Sequence, residues 1–151
     1  MEADDAQIKA HIESLVANNL PRSPIYNFLL SNVHIHSATK GCVKARLKLT
    51  KNHINSGGGI HGSVSATIVD WAGGMAIATW DLRERTGVSV DIHVRYLSSA
   101  KDGDEIEIEA TADKVGGSLA FTKILISKIV DGEPGPIVAS GTHTKYVKQR
   151  S

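Results

Sequence analysis

One segment limits the fold of this chain more than any other. From Ile60 to about Arg83 the sequence is long, apolar and rich in small residues, with a single acid, Asp70, in its middle. It is too long and too continuously apolar for a strand, and it lacks a strong polar face, so it predicts a helix that is buried over most of its circumference. Ser63, Ala66, Gly73 and Gly74 would let a sheet or a second chain approach it closely. Two adjacent helical glycines each cost about 0.5–1 kcal/mol, so close packing or function must explain them.

The rest of the chain has to cover that helix. Four runs alternate apolar and polar residues after it: Val88 to Leu97, Glu105 to Lys114, Leu119 to Val130 and Ile137 to Val147. They are broken at Lys101-Asp-Gly, Gly116-Gly117 and Gly132-Glu-Pro-Gly-Pro, and no helical signal separates them. Before the helix, Ile25 to Ser37 and Cys42 to Thr50 also read as strands, with Lys40-Gly41 as the turn between them. Ile8, Ile12, Leu15 and Val16 give residues 3–20 the spacing of an amphipathic helix stopped by Pro21. This order is α+β, and without crossover helices the sheet must be mainly antiparallel. At 151 residues the chain reads as a single domain, residues 1–151, with a core over residues 25–147.

Charge and composition remove several function classes. The net charge of +1 gives no electrostatic case for nucleic acid or a membrane surface. No apolar run reaches the roughly 18 residues of a membrane span. Cys42 is the only cysteine, which excludes an intrachain disulfide. The start, Met-Glu-Ala-Asp-Asp, resembles neither a signal nor a transit peptide. An intracellular, cytoplasmic location is expected, with a mitochondrial one left open.

Chemistry concentrates between Asn55 and Asp70. The polar loop Asn-Ser-Gly-Gly-Gly leads into Ile60-His61-Gly62, where a helix start aims free N–H groups and a positive dipole end outward. Such an end suits an oxygen that gains charge during a reaction. Asp70, with Ile68, Val69, Trp71 and Ala72 beside it in sequence, is a candidate general base or nucleophile in apolar company. Gly62 and Asp70 lie eight residues apart, roughly 12 Å along a helix axis. A base acts within about 3 Å of its target or through one water, so one chain's Gly62 and Asp70 cannot serve the same carbonyl. Either one of them has no catalytic role, or a site joins Asp70 of one subunit to Gly62 of another.

Other patterns carry less. Gly57-x-Gly59-x-x-Gly62 formally matches a dinucleotide fingerprint, but no parallel βαβ unit follows. His34 and His36 share a strand face without a third metal ligand nearby, His93 is a strand position without chemistry, and Cys42 reads as an inert thiol. No metal or redox cofactor is expected.

The segment Asn55…His61-Gly62…Asp70, together with Gly87-Val-Ser-Val-Asp-Ile-His-Val-Arg-Tyr-Leu, resembles the hotdog-fold acyl-CoA thioesterases, in the branch of phenylacetyl-CoA thioesterases and thioesterase superfamily member 2. The likeness runs from about Val43 to Thr144, about two thirds of the chain. It implies a curved antiparallel sheet wrapped around the long helix, with an extra N-terminal helix. It also implies hydrolysis of an acyl-CoA to a carboxylic acid and coenzyme A, the latter being part of the substrate. By the same likeness the site residues are Asp70 as base or nucleophile, the Gly62 N–H as oxyanion donor, Asn55 on the carbonyl or water, Ser89 orienting water or Asp70, and His61 placing the Gly62 amide. The resemblance favours a homodimer, or a homotetramer of two dimers, in which Asp70 and Ser89 of one chain meet Asn55, His61 and Gly62 of the next. Arg95, Lys101, Lys114, Lys123 and Lys148 are possible partners of the coenzyme A phosphates. A non-catalytic acyl-CoA sensor is the competing reading.

Overall fold

The computed structural model describes residues 2–149. Helix α1 spans Asp5–Asn19, and Asp4 caps it: the Asp4 carboxylate accepts the Gln7 N–H while the Gln7 side chain accepts the Asp4 N–H. Pro21 ends it in a 3-10 turn over Leu20–Arg22. A second helix, α2, spans Pro24–Leu30. Six strands follow: β1 (His34–Thr39), β2 (Cys42–Lys48), then, after the long helix α3 (Gly62–Asp81), β3 (Val88–Tyr96), β4 (Glu105–Val115), β5 (Leu119–Val130) and β6 (Glu133–Tyr146). They form one sheet in the order β1-β2-β4-β5-β6-β3, with every neighbouring pair antiparallel.

The sheet packs its inner face on α3, which touches β2 through β6, and α1 lies against β1 and α3. As the pattern of Ile60 to Arg83 predicts, α3 is buried over most of its surface: Val64, Ile68, Val69, Trp71, Ala72, Ala76 and Ile77 all belong to the core. Its bounds are set locally. His61 caps the start, and Leu82 ends it in the left-handed conformation, φ 60°. The paired glycines are explained by packing within the chain. A Cβ on Gly73 would lie 2.6 Å from His143 Nδ1, and one on Gly74 2.8 Å from Thr86 Oγ1, so the sheet and the segment before β3 approach too closely for any side chain. Among the described residues no helix is long and apolar enough to cross a membrane.

Two expectations are corrected. The run Ile25 to Ser37 is not one strand. Pro24 sits at the first helical position, where its missing N–H is no loss, and the segment to Leu30 turns into α2. Ile25, Tyr26 and Phe28 are good strand formers, but the fold places Leu30 in the core and leaves Ile25 and Phe28 exposed. The last strand begins at Glu133 rather than Ile137. Glu133 and Pro134 pair with Val130 and Ile129, and the β3 pairing starts only at Ala139. Prolines are tolerated there because that stretch of β6 has no strand on its other side.

Candidate active site

Asp70 projects from the middle of α3 into a cavity of about 260 Å³ that Leu15, Leu20, Tyr26, Trp71, Met75 and Lys145 help to line. Its sequence neighbours Val69 and Trp71 are buried, but its own side chain is 33% exposed and meets polar groups. The expectation of an acid in apolar company is corrected to that extent: those neighbours turn into the core and the carboxylate does not. Ser89, at the start of β3, donates its hydroxyl to Asp70 Oδ1 at 3.2 Å. Tyr26 of α2 donates its phenol to Asp70 Oδ2. His143 of β6 sits behind both, fully buried, with Nε2 2.8 Å from Ser89 Oγ and 3.7 Å from Asp70 Oδ1.

Ser89 carries a single proton between two neighbours, and the imidazole tautomer sets its direction: with the ring proton on Nε2 the hydroxyl accepts from His143 and donates to Asp70, and with it on Nδ1 the hydroxyl can donate to Nε2. Nδ1 has no partner of good geometry among the described residues. Burial and the positive charge of Lys145 push the His143 pKa down, while Asp70 and the carbonyls of Val69 and Asp70 oppose them. Burial pushes the Lys145 ammonium down as well, against the pull of Asp70. Lys145 donates to Thr86 Oγ1 at 3.1 Å. Burial first, and then the bond to Asp70 and its charge, hold the Tyr26 phenol well above the usual tyrosine range, so it remains a donor.

The other half of the predicted set lies elsewhere on the chain. Asn55 and Gly62 line a separate cavity of about 330 Å³ with Ser65, Tyr96 and Ser99. Asn55 Oδ1 accepts the N–H groups of Gly57 (2.9 Å) and Gly59 (3.2 Å), which shapes the glycine loop and leaves the amide NH₂ a donor without an acceptor among the described residues. His61 is the N-cap of α3: its Nδ1 accepts the Ser63 N–H at 3.0 Å. The Gly62 N–H, one of the orphan donors of a helix start, has no acceptor among the described residues. Tyr96 donates to the Gly62 carbonyl at 3.1 Å, in the peptide unit that follows this N–H.

Within one chain, therefore, Asp70 and Ser89 come together, Asn55, His61 and Gly62 come together, and Asp70 opens into one cavity while Asn55 and Gly62 open into another. Sequence reading missed Tyr26, Tyr96, His143 and Lys145. For the last two a signal existed: at period two they continue the buried face of Ala139 and Gly141, and polar residues at core positions of a strand mark a site. Arg95 does not pair with Asp70. It lies on the outer sheet face in a groove of about 390 Å³ with His93 and Lys123.

This architecture recurs among known proteins. The thioesterase superfamily model matches residues 57–134. The human acyl-coenzyme A thioesterase 13 is 36% identical over 119 residues, covering 79% of this chain and 82% of that protein. The zebrafish thioesterase superfamily member 2 structure superposes with a TM-score of 0.78 at 33% identity, covering 97% of this chain and 99% of that one. A Streptococcus pneumoniae hypothetical thioesterase solved with coenzyme A shares the fold, with a TM-score of 0.69 at 24% identity over 81% of this chain and 94% of that one. The chain belongs to the thioesterase superfamily, in the branch of hotdog fold that contains the acyl-coenzyme A thioesterases.

Proposed function

We propose that this chain hydrolyses acyl-CoA thioesters in a site shared between two subunits, with Asp70 and Ser89 from one and Asn55 and Gly62 from the other. Thioester hydrolysis follows from family membership. The observation that carries the finer reading is the separation of the two half-sites into two cavities of one chain. A second observation supports it. Strand β3 is one of the two sheet edges, and its apolar residues Val88, Val90, Ile92 and Tyr96 are exposed. An edge of that kind invites pairing with its twin across a twofold axis.

In such a dimer the thioester carbonyl accepts the Gly62 N–H and the Asn55 amide. Asp70, held by Ser89 and Tyr26, either takes the proton of a water as it attacks the carbonyl carbon or attacks that carbon itself. The first route gives a tetrahedral oxyanion on the Gly62 donor, and its collapse releases the coenzyme A thiolate, which takes up the proton. The second gives an acyl anhydride with Asp70 that water then cleaves. Neither route calls on a metal or redox cofactor. The coenzyme A complex of the pneumococcal protein is in keeping with this ligand class. Arg95 and Lys123, in the groove with His93, are the proposed contacts for its phosphates.

The test is subunit mixing on an acyl-CoA panel (acetyl, hexanoyl, palmitoyl, phenylacetyl and hydroxyphenylacetyl). Asp70→Asn and Gly62→Pro chains, each inactive alone, are unfolded together and refolded. A shared site restores about a quarter of wild-type activity, because about half of the dimers are mixed and each holds one intact site of two. No recovery would sink the shared site. Saturable acyl-CoA binding by wild type without turnover would convert the reading to a sensor.

A further inference from the structure

We infer that Tyr26 is a positioning residue for Asp70, so that the N-terminal layer of α1 and α2 completes the acid half of the site rather than merely covering the sheet. This rests on Asp70 being the working acid. Ser89 on the β3 edge holds Oδ1, and Tyr26 on α2 holds Oδ2. Two donors from opposite parts of the fold fix the plane of the carboxylate; with Ser89 alone, it is free to turn about its last bond.

It also has somewhere unproductive to go. Lys145 lines the same cavity, is 7% exposed, and feels the Asp70 charge, yet it bonds to Thr86 and forms no ion pair with Asp70 among the described residues. In a poorly solvated cavity two such charges attract strongly, and the Tyr26 hydroxyl holds Oδ2 against that pull. Tyr26 is itself held. The chain after it is tied down where Leu29 O accepts from His53 Nε2 at 2.7 Å, and the His53 ring is buried with Nδ1 accepting the Thr50 N–H at 2.9 Å. The same His53 leads into the loop of Asn55, so α2 is braced by the segment that carries the donor half.

The experiment compares wild type, Tyr26→Phe, Asp70→Asn and the double variant in hexanoyl-CoA hydrolysis, with Ile25→Ala, an exposed position of α2, as control. Tyr26→Phe keeps the ring and removes the donor. The expected result is a kcat lower by about 10- to 100-fold, with KM within about twofold, as for loss of a hydrogen bond to a charged group. In the Asp70→Asn background the same change is expected to have no further effect, and Ile25→Ala to behave as wild type. A Tyr26→Phe enzyme with wild-type or raised kcat, or an equal loss in both backgrounds, overturns the inference. Tyrosinate absorbance reads the contact without turnover. The last of the three tyrosines to ionise should vanish in Tyr26→Phe and ionise at lower pH in Asp70→Asn. If wild type hydrolyses no acyl-CoA, the thioesterase reading fails, and this titration still decides whether Tyr26 engages Asp70.

Discussion

The two half-sites are built in opposite ways. The donor half, Asn55 to Gly62, is shaped mainly by hydrogen bonds spanning a few residues, Asn55 to Gly57 and Gly59 and His61 to Ser63, with Tyr96 on the Gly62 carbonyl and the Ala100 carbonyl on the Ile60 N–H as its long-range ties. Its proposed working group is a backbone N–H at a helix start. The acid half gathers Tyr26, Asp70, Ser89, His143 and Lys145 from α2, α3, β3 and β6, and its partners lie 19 to 54 residues apart in sequence. The first is a product of local chain geometry and the second of the packed fold. They should therefore fail differently, the first by losing a donor and the second by losing alignment, charge or packing.

The largest expected effect lies in the acid half. Asp70→Asn removes the proposed base or nucleophile and keeps the shape, although its single amide oxygen can accept from only one of Ser89 and Tyr26, so kcat should fall by about 10²- to 10⁴-fold with oligomer size unchanged and the chain still folded. Thiol-release kinetics check this, and a variant near wild-type rate would mean that Asp70 does not do the chemistry. Next is Gly62→Pro in the donor half. Proline suits the first helical position, and His61 before it already has the extended backbone (φ −69°, ψ 137°) that a proline requires. The substitution thus deletes one N–H and leaves the helix. The expected loss is about 10²- to 10³-fold in kcat. Gly62→Ala, which retains the N–H and whose Cβ would lie 3.4 Å from the Tyr96 ring, is expected to stay far more active. Equal loss in both would assign the effect to crowding against Tyr96.

Asn55 sharpens the contrast further, because its local role and its proposed chemical one fall on different atoms. Asn55→Asp retains an oxygen for the Gly57 and Gly59 N–H groups and loses the NH₂ donor. A drop of about tenfold or more in kcat with unchanged stability would show the amide working on the substrate. Unchanged kcat would confine Asn55 to shaping the loop.

The same difference explains what could be read from the sequence. The spacing Asn55…His61-Gly62…Asp70 is local, and the loop, the helix start and the long helix all stand where that segment predicts. Alternation placed five of the six strands within a few residues, because one face of each is buried in a single core. The failures come from tertiary context. Residues 24–30 are too short for a helical period to show, and only packing against α3 makes Tyr26 part of a helix that reaches Asp70. Nothing local to residue 143 announces that it will stand behind Ser89. Only the polar residues on an otherwise buried strand face hinted at it.

Packing provides a smaller effect. Gly73 lies one turn beyond Asp70, and a methyl there would meet His143 Nδ1 at 2.6 Å and Thr122 Oγ1 at 3.0 Å. Gly73→Ala should destabilise the fold by about 1–3 kcal/mol and displace His143 from Ser89. Melting curves and kcat should fall together. By contrast, Gly58→Ala in the donor loop, where φ is +88° but a methyl meets nothing, should cost strain alone. If Gly73→Ala leaves both stability and rate intact, the contact of helix and sheet is looser than these distances require.

The smallest effect separates the halves by pH. His143 is buried with its pKa pushed below the ordinary 6.5, so as pH falls through about 6.5 the unfolded chain takes up a proton that the folded chain refuses. Stability should therefore decline with acidification from that point, until the pH reaches the folded value. Lys145 acts in the same direction at the alkaline end: its folded value lies below 10.5, so the unfolded chain again binds more protons just under that pH, and stability rises with pH there. Denaturant titrations from pH 5 to 8 should show a slope in wild type that His143→Gln flattens, because glutamine fills the site without titrating. Gly62→Pro, which adds and removes no ionisable group, should keep the wild-type slope. An unchanged slope in His143→Gln would mean that groups outside the acid half set the acid sensitivity of the fold.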